Sequence, residues 1–186
     1  NTVVWKPART QQLAAHYTML LLEEAGLPPG VINLVTSDGA TLTGAVLDDP
    51  DLAGIHFTGS TGVFHSMWET VGKNIARYRT YPRLVGETGG KDFVVAHPSA
   101  DPDVLRTALV RGAFEFQGQK CSAASRAYVP ASIWKRMGKA LAEEVNGLAM
   151  GDVTDFSTFM GAVIDAGAFA DHKDAIDRAH ATAGIE

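Results

Sequence analysis

Apolar positions along this chain follow two rhythms. Short runs rich in β-branched and aromatic residues predict strands at "TVVWK" (2–6), "VINLV" (31–35), "AGIHFTG" (53–59), "RLVG" (83–86), "DFVVA" (92–96) and "SRAYV" (125–129). Longer stretches repeat at helical spacing. They predict helices over 10–26, with Leu13, Tyr17, Leu20 and Leu21 on one face, and over 39–47, 60–77, 101–116, 131–148 and 166–183. Punctuation supports the boundaries. Pro7 closes the first strand, Thr10 is a candidate N-cap, and Gly26 stands where the first long helix must stop. Asp101 and Pro102 read as a cap followed by a proline at the first helical position.

Strand and helix alternate through the first half, which implies a parallel sheet with helices on its faces. "VINLV" is almost continuously apolar, as a buried parallel strand would be. After residue 97 the helices lengthen. Glycines cluster at "GETGGKD" (86–92), which marks a domain transition and divides the chain into 1–88 and 89–186. The fold class read from this order is α/β.

Composition narrows the function classes. Of 186 residues, 46% are apolar and 20% charged, the balance of a globular protein with a real core. Net charge is −5, so no nucleic-acid footprint is expected. "RYRTYPR" (77–83) mixes arginine and tyrosine and could stack on bases, but its place between a helix and a strand reads as a connector. A single cysteine excludes an internal disulfide framework and a multi-cysteine metal site, and points to a reducing compartment, the cytoplasm. No run of 18 apolar residues predicts a membrane span. "NTVVWKPART" does not resemble a signal peptide and lacks an initiator methionine, so the sequence is expected to begin mid-protein.

Four features carry chemistry. Cys121 lies in "GQKCSA", among polar neighbours rather than in an apolar run, beside Lys120 and after a long helix. Helix-end amides and a neighbouring cation favour the thiolate, so the residue reads as a nucleophile against the alternative of a packed thiol. "FTGSTG" (57–62) joins a strand to a helix, a junction that can hold phosphate, although an ordinary turn with Ser60 as N-cap fits as well. The glycine fingerprint of dinucleotide folds is absent. Lys6 ends the first strand, where a lysine reaches ligand hydroxyls or phosphate, or simply faces solvent. Glu87, between glycines, is free to swing as a general base working through water, or caps a turn. The six histidines show no metal-ligand spacing, and His56 is expected to pack within its strand.

In this order the motifs "VVWKP", "AGLPPGVINLV", "FTGS", "GETGGK" and "GQKCSA" resemble the aldehyde dehydrogenase superfamily. Glu87 and Cys121 stand 34 positions apart, matching that family's separation of base and nucleophile. "PRLVGETGGKDF", "AFEFQGQKCSAASRAYVP" and "FMGAVIDAGAFA" look like the branch acting on L-glutamate γ-semialdehyde in proline catabolism. The resemblance implies a Rossmann-like parallel sheet with flanking helices leading into the α/β catalytic domain. Residues 1–88 would be the later part of the NAD-binding domain and 89–186 the first part of the catalytic domain. It implies Cys121 as catalytic thiol and Glu87 as general base. It places Lys6, Gly39, Gly59, Ser60, Thr61, Gly62 and Val63 at the NAD, Ser122 and Phe93 at the substrate, and no metal. Arg9 stands where the family usually carries an acid on the ribose, which leaves room for NADP.

The implied partner is a small aldehyde, with neither nucleic acid nor membrane, and the full-length enzyme is expected to be a homo-oligomer. The family places an oxyanion-hole asparagine upstream of "VVWKP", and a second ribose-binding glutamate and a substrate-carboxylate loop beyond Glu186. The chain is therefore expected to be an internal segment, inactive or nearly so in isolation. The competing readings are a dehydrogenase of another aldehyde, a cofactor-free thiol hydrolase, and a non-catalytic module.

Overall fold

The computed structural model describes residues 2–184. Two compact units divide the chain, one ending at Glu87 and the other starting at Thr88.

In the first unit, β1 (Val3–Trp5) pairs in parallel with β2 (Ile32–Leu34), Val4 opposite Asn33. Between them runs α1 (Gln12–Glu24), preceded by a 3-10 turn over Arg9–Gln11. Thr10 lies inside that turn and Gln11 takes the cap position, with no side-chain bond. The helix stops as the sequence implies. Gly26 adopts φ +96°, its N–H bonds Glu23 O at 3.0 Å, and Leu27 N–H bonds Leu22 O at 2.9 Å. Only glycine takes that left-handed position freely, and the paired bonds satisfy two of the helix's last carbonyls. The face of α1 that turns inward is Ala15 and Met19, whereas Leu13, Tyr17, Leu20 and Leu21 are exposed. β2 likewise shows alternation, with Asn33 exposed between half-buried Ile32 and Leu34.

Next come α2 (Gly39–Leu47), β3 (Gly54–Gly59), α3 (Thr61–Lys73) and β4 (Arg83–Thr88), β4 lying beside β3. Their core gathers Leu47, Leu52, Met67, Val71 and Tyr78, with Ile55, Phe57, Phe64 and Leu84 against it. Tyr78 is buried and its hydroxyl donates to Leu47 O at 2.6 Å. Its neighbours Arg77 and Arg79 pair with Asp48 and Asp51. These arginines tie the connector "RYRTYPR" to the turn after α2. His56 lies on the exposed side of β3, contrary to the expected packing, because alternation along the strand gives the inward positions to Ile55 and Phe57.

In the second unit, β5 (Asp92–Val95) pairs in parallel with β6 (Ala124–Tyr128), with an irregularity between Asp92 and Phe93. The two are linked by α4 (Pro102–Phe114), and α5 (Ala131–Asn146) and α6 (Ala166–Ala181) follow. Asp101 caps α4 as the sequence implies, accepting from Asp103 N at 2.8 Å and Val104 N at 3.0 Å. These amide bonds hold its carboxyl below the usual range. Leu105 and Leu109 of α4 meet Ile133 and Met137 of α5, forming the best-buried core of the unit. No helix among the described residues is long and apolar enough to cross a membrane.

Candidate active site

In the first unit the singled-out residues stand where a strand hands over to a helix. Lys6 follows β1, half-buried, with its Nζ donating to Pro7 O at 3.0 Å. Gly39 opens α2 behind Asp38, which accepts from Thr41 N at 2.8 Å. The bonds from Thr41 lower the Asp38 carboxyl below its ordinary range. Gly59 ends β3, and Ser60 caps α3 by accepting from Val63 N at 3.3 Å. The cap leaves the amides of Thr61 and Gly62 without an intrahelical acceptor, at the positive end of the helix. Because the Ser60 oxygen accepts in the cap, its hydroxyl proton stays available to donate. Cap and phosphate cradle are thus compatible uses of one turn. All five residues from Gly59 to Val63 are exposed, and they fit a pyrophosphate group by donor chemistry. Arg9 is exposed in the turn before α1.

Glu87 lies within β4, exposed, rather than in a swinging loop. The glycine before it serves close packing. A Cβ on Gly86 would collide with the Phe64 ring, and one on Gly59 would collide with the Phe57 ring. Phe57 and Phe64 stack with centroids 6.0 Å apart and planes 4° from parallel. One aromatic pair therefore lies against the glycines that precede both Ser60 and Glu87. Sequence reading missed Phe57 and Phe64; glycine within a strand, marking a close approach, was the available signal.

In the second unit Cys121 is exposed. It occupies a turn closed by Ala123 N bonding Lys120 O at 3.2 Å, with Ser122 beside it, also exposed. The backbone before that turn is unusual. Phe116 and Gln117 have φ of 52° and 58°, and Gly118 follows at 66°. A left-handed conformation costs a non-glycine residue roughly 1–2 kcal/mol, so surrounding contacts must impose it. Gln119 N bonds Phe116 O at 3.0 Å, Gln117 Nε2 donates to Ala162 O at 2.8 Å, and Ile164 N donates to Gln119 Oε1 at 2.8 Å. A Cβ on Gly90 would come within 2.6 Å of Cys121 O, so the glycine loop packs directly on the backbone of the thiol residue.

The cation expected to activate the thiol is engaged elsewhere. Lys120 Nζ bonds Glu115 Oε2 at 2.9 Å, and Arg111 pairs with the other Glu115 oxygen. The Lys120 bond, with help from Arg111, holds the Glu115 carboxyl below its ordinary range. Nor is Cys121 at a helix N-terminus, because the turns over 115–118 separate it from α4. Phe93, 64% exposed, meets Tyr128 edge-on with centroids 6.2 Å apart, so the two rings form an open apolar wall along β5 and β6. A cavity of about 790 Å³ between α4, α5 and β6 is lined by Leu109, Phe114, Trp134 and Leu141 among others and does not include Cys121. Among the described residues no group of three or more His, Cys, Asp or Glu is placed to hold a metal ion.

Residues 1–185 match the sequence profile of the aldehyde dehydrogenase family. The chain belongs to that family. Its architecture of parallel strand pairs and helices is that of the aldehyde dehydrogenase fold, as the solved relatives show. The crystal structure of the Delta-pyrroline-5-carboxylate dehydrogenase from Mycobacterium tuberculosis bound with NAD superposes with a TM-score of 0.95 at 63% identity, covering 98% of this chain and 34% of that one. The mitochondrial Delta-1-pyrroline-5-carboxylate dehydrogenase of Mus musculus is 46% identical over 186 residues, all of this chain and 33% of that protein. The Homo sapiens protein of the same name is 44% identical over the same span. This aldehyde dehydrogenase chain thus spans about a third of the length of the relatives it matches. The cytoplasmic location expected from the single cysteine is overturned by these names, which place the mouse and human relatives in mitochondria.

Proposed function

We propose that this chain supplies the nucleophile, the general base and the cofactor-phosphate turn for NAD-dependent oxidation of L-glutamate γ-semialdehyde to L-glutamate. The observation that carries the proposal is the exposed lone thiol of Cys121 on a rigidly tied turn, in a chain 63% identical to a dehydrogenase solved with NAD. In this reading residues 1–88 belong to the nucleotide-binding domain and 89–186 to the catalytic domain.

Cys121 Sγ attacks the aldehyde carbon, and a C–S bond forms as the carbonyl oxygen takes the negative charge. Backbone amides near the thiol hold that oxyanion, and one such donor is worth roughly 3–4 kcal/mol of barrier. The nicotinamide, when bound, supplies the acceptor for the hydride. Cys121 carries the resulting acyl group as a thioester. Glu87 takes a proton from the water that attacks the thioester, and the thiolate departs, restoring Cys121. Lys6 and the turn from Gly59 to Val63 hold the cofactor's ribose and phosphates, with Gly39 beside the adenosine. Ser122 contacts the glutamate-like end of the substrate and Phe93 forms an apolar wall. Arg9 in place of an acid accommodates a 2′-phosphate, so NADP is accepted as a weaker substitute. The whole protein assembles as a homo-oligomer.

The test is nucleotide reduction by the whole protein supplied with Δ1-pyrroline-5-carboxylate. Glutamate and reduced NAD are expected in equal amounts, with turnover on the order of 1–10³ per second. Absence of reduction with either nucleotide, or preference for an aldehyde lacking the amino acid end, overturns the proposal.

Ser60→Ala probes the turn separately. Loss of the cap costs α3 about 1 kcal/mol, and loss of the hydroxyl donor is expected to raise the NAD dissociation constant roughly fivefold to tenfold. Unchanged NAD affinity in a calorimetric titration would remove Ser60 from the cofactor site.

A further inference from the structure

We propose that Gln117 and Gln119 are positioning residues for Cys121, acting through opposed hydrogen bonds to one backbone segment, residues 162–164. The assignment rests on the reading of Cys121 as nucleophile. Ala162 O and Ile164 N are backbone groups two residues apart, in a segment outside the named strands and helices. Gln117 Nε2 donates to Ala162 O and Gln119 Oε1 accepts from Ile164 N, each at 2.8 Å. Backbone groups have fixed donor and acceptor roles, so both amide orientations follow without ambiguity.

The brace sits where it is needed. Gln117 is itself left-handed, next to left-handed Phe116, and neither residue would hold that conformation unaided. Gln119 lies two residues before the thiol. The side chains therefore fix both ends of the short stretch whose geometry aims Cys121. The segment they grip lies some 45 residues later in sequence, so local chain stiffness cannot substitute.

The two bonds differ in sense, which gives a discriminating test. Gln117→Glu replaces the donor with an acceptor facing a carbonyl. Gln119→Glu keeps the acceptor facing Ile164 N–H. Its second oxygen replaces a donor only at the long 3.4 Å contact to Phe116 O, where it is free to rotate away because the Gln119 backbone amide already bonds that carbonyl at 3.0 Å. Cys121 is the only cysteine of this chain, so its alkylation by iodoacetamide is read by mass spectrometry on the peptide that contains it. In the whole protein, Gln117→Ala, Gln117→Glu and Gln119→Ala are expected to change the alkylation rate and lower kcat by about tenfold or more, with KM for NAD little changed, since small misplacements of a reacting group cost that much. Gln119→Glu is expected to stay within about twofold of the parent in both measurements. Grouping of the two glutamate variants together would mean charge, not positioning, and overturns the proposal. So does a set of four variants that all match the parent. If the parent reduces no nucleotide while the alkylation rates still group by bond sense, the catalytic reading fails and the brace stands.

Discussion

Cys121→Ala is expected to abolish nucleotide reduction by the whole protein while leaving nucleotide binding intact. The thiol is this chain's only one and lies exposed on its turn, so no other sulfur of the chain can replace it. Loss of a covalent nucleophile typically removes on the order of 10⁴-fold or more of the rate. The residues assigned to the cofactor, Lys6, Gly39 and the run from Gly59 to Val63, all belong to the first unit, and Cys121 to the second. A calorimetric NAD titration should therefore give the parent's affinity. The same substitution separates the readings. A non-catalytic module would be indifferent to it, and a cofactor-free hydrolase would lose ester cleavage without ever having reduced a nucleotide. Residual oxidation above about one-hundredth of the parent rate would show that Sγ is not the attacking atom.

Gly118→Ala is expected to destabilise the protein by about 2–4 kcal/mol and to lower Tm by roughly 5–15 °C. Two costs combine there. The residue has φ +66°, which an L side chain resists, and a Cβ would lie 2.7 Å from the carbonyl oxygen of Ala113. That oxygen is backbone near the end of α4, so it cannot swing aside as a flexible side chain would. Gly118→Asn separates the costs, because asparagine enters the left-handed region readily but still brings a Cβ. Asparagine is expected to be nearly as harmful as alanine. Thermal unfolding in which asparagine restores the parent Tm would assign the whole effect to conformation and remove the clash from the account. Because Gly118 leads into Gln119 and the turn of Cys121, activity should fall further than stability alone explains.

Much of this was written in local sequence. Gly26 ends α1 because a left-handed stop needs glycine, and Asp101 with Pro102 starts α4 because first-turn amides need an acceptor and proline needs none. Such rules involve neighbours within a turn of chain. The sequence marked Ser60 as a cap for the same reason. Glu87 was expected in a loop because of its neighbouring glycines, yet it lies in a strand, and Gly86 is a strand residue whose missing side chain makes room for the Phe64 ring. Lys120 was misjudged because its partner Glu115 is brought round by the left-handed backbone between them.

By itself the sequence determined where strands and helices alternate, which residues cap them, and that a single thiol sits among polar neighbours. These follow from hydrogen-bonding needs and periodicity over a few residues. The tertiary structure alone decided how that thiol is held. Phe116 and Gln117 carry no propensity for positive φ, and nothing local foretells it; the stretch is tied by Gln117 and Gln119 side-chain bonds to Ala162 and Ile164, far along the chain. It decided equally that Phe57 and Phe64 crowd Gly59 and Gly86. Long-range contacts can hold a backbone in a state its own residues disfavour, because several well-formed bonds outweigh a strain of one or two kcal/mol per residue.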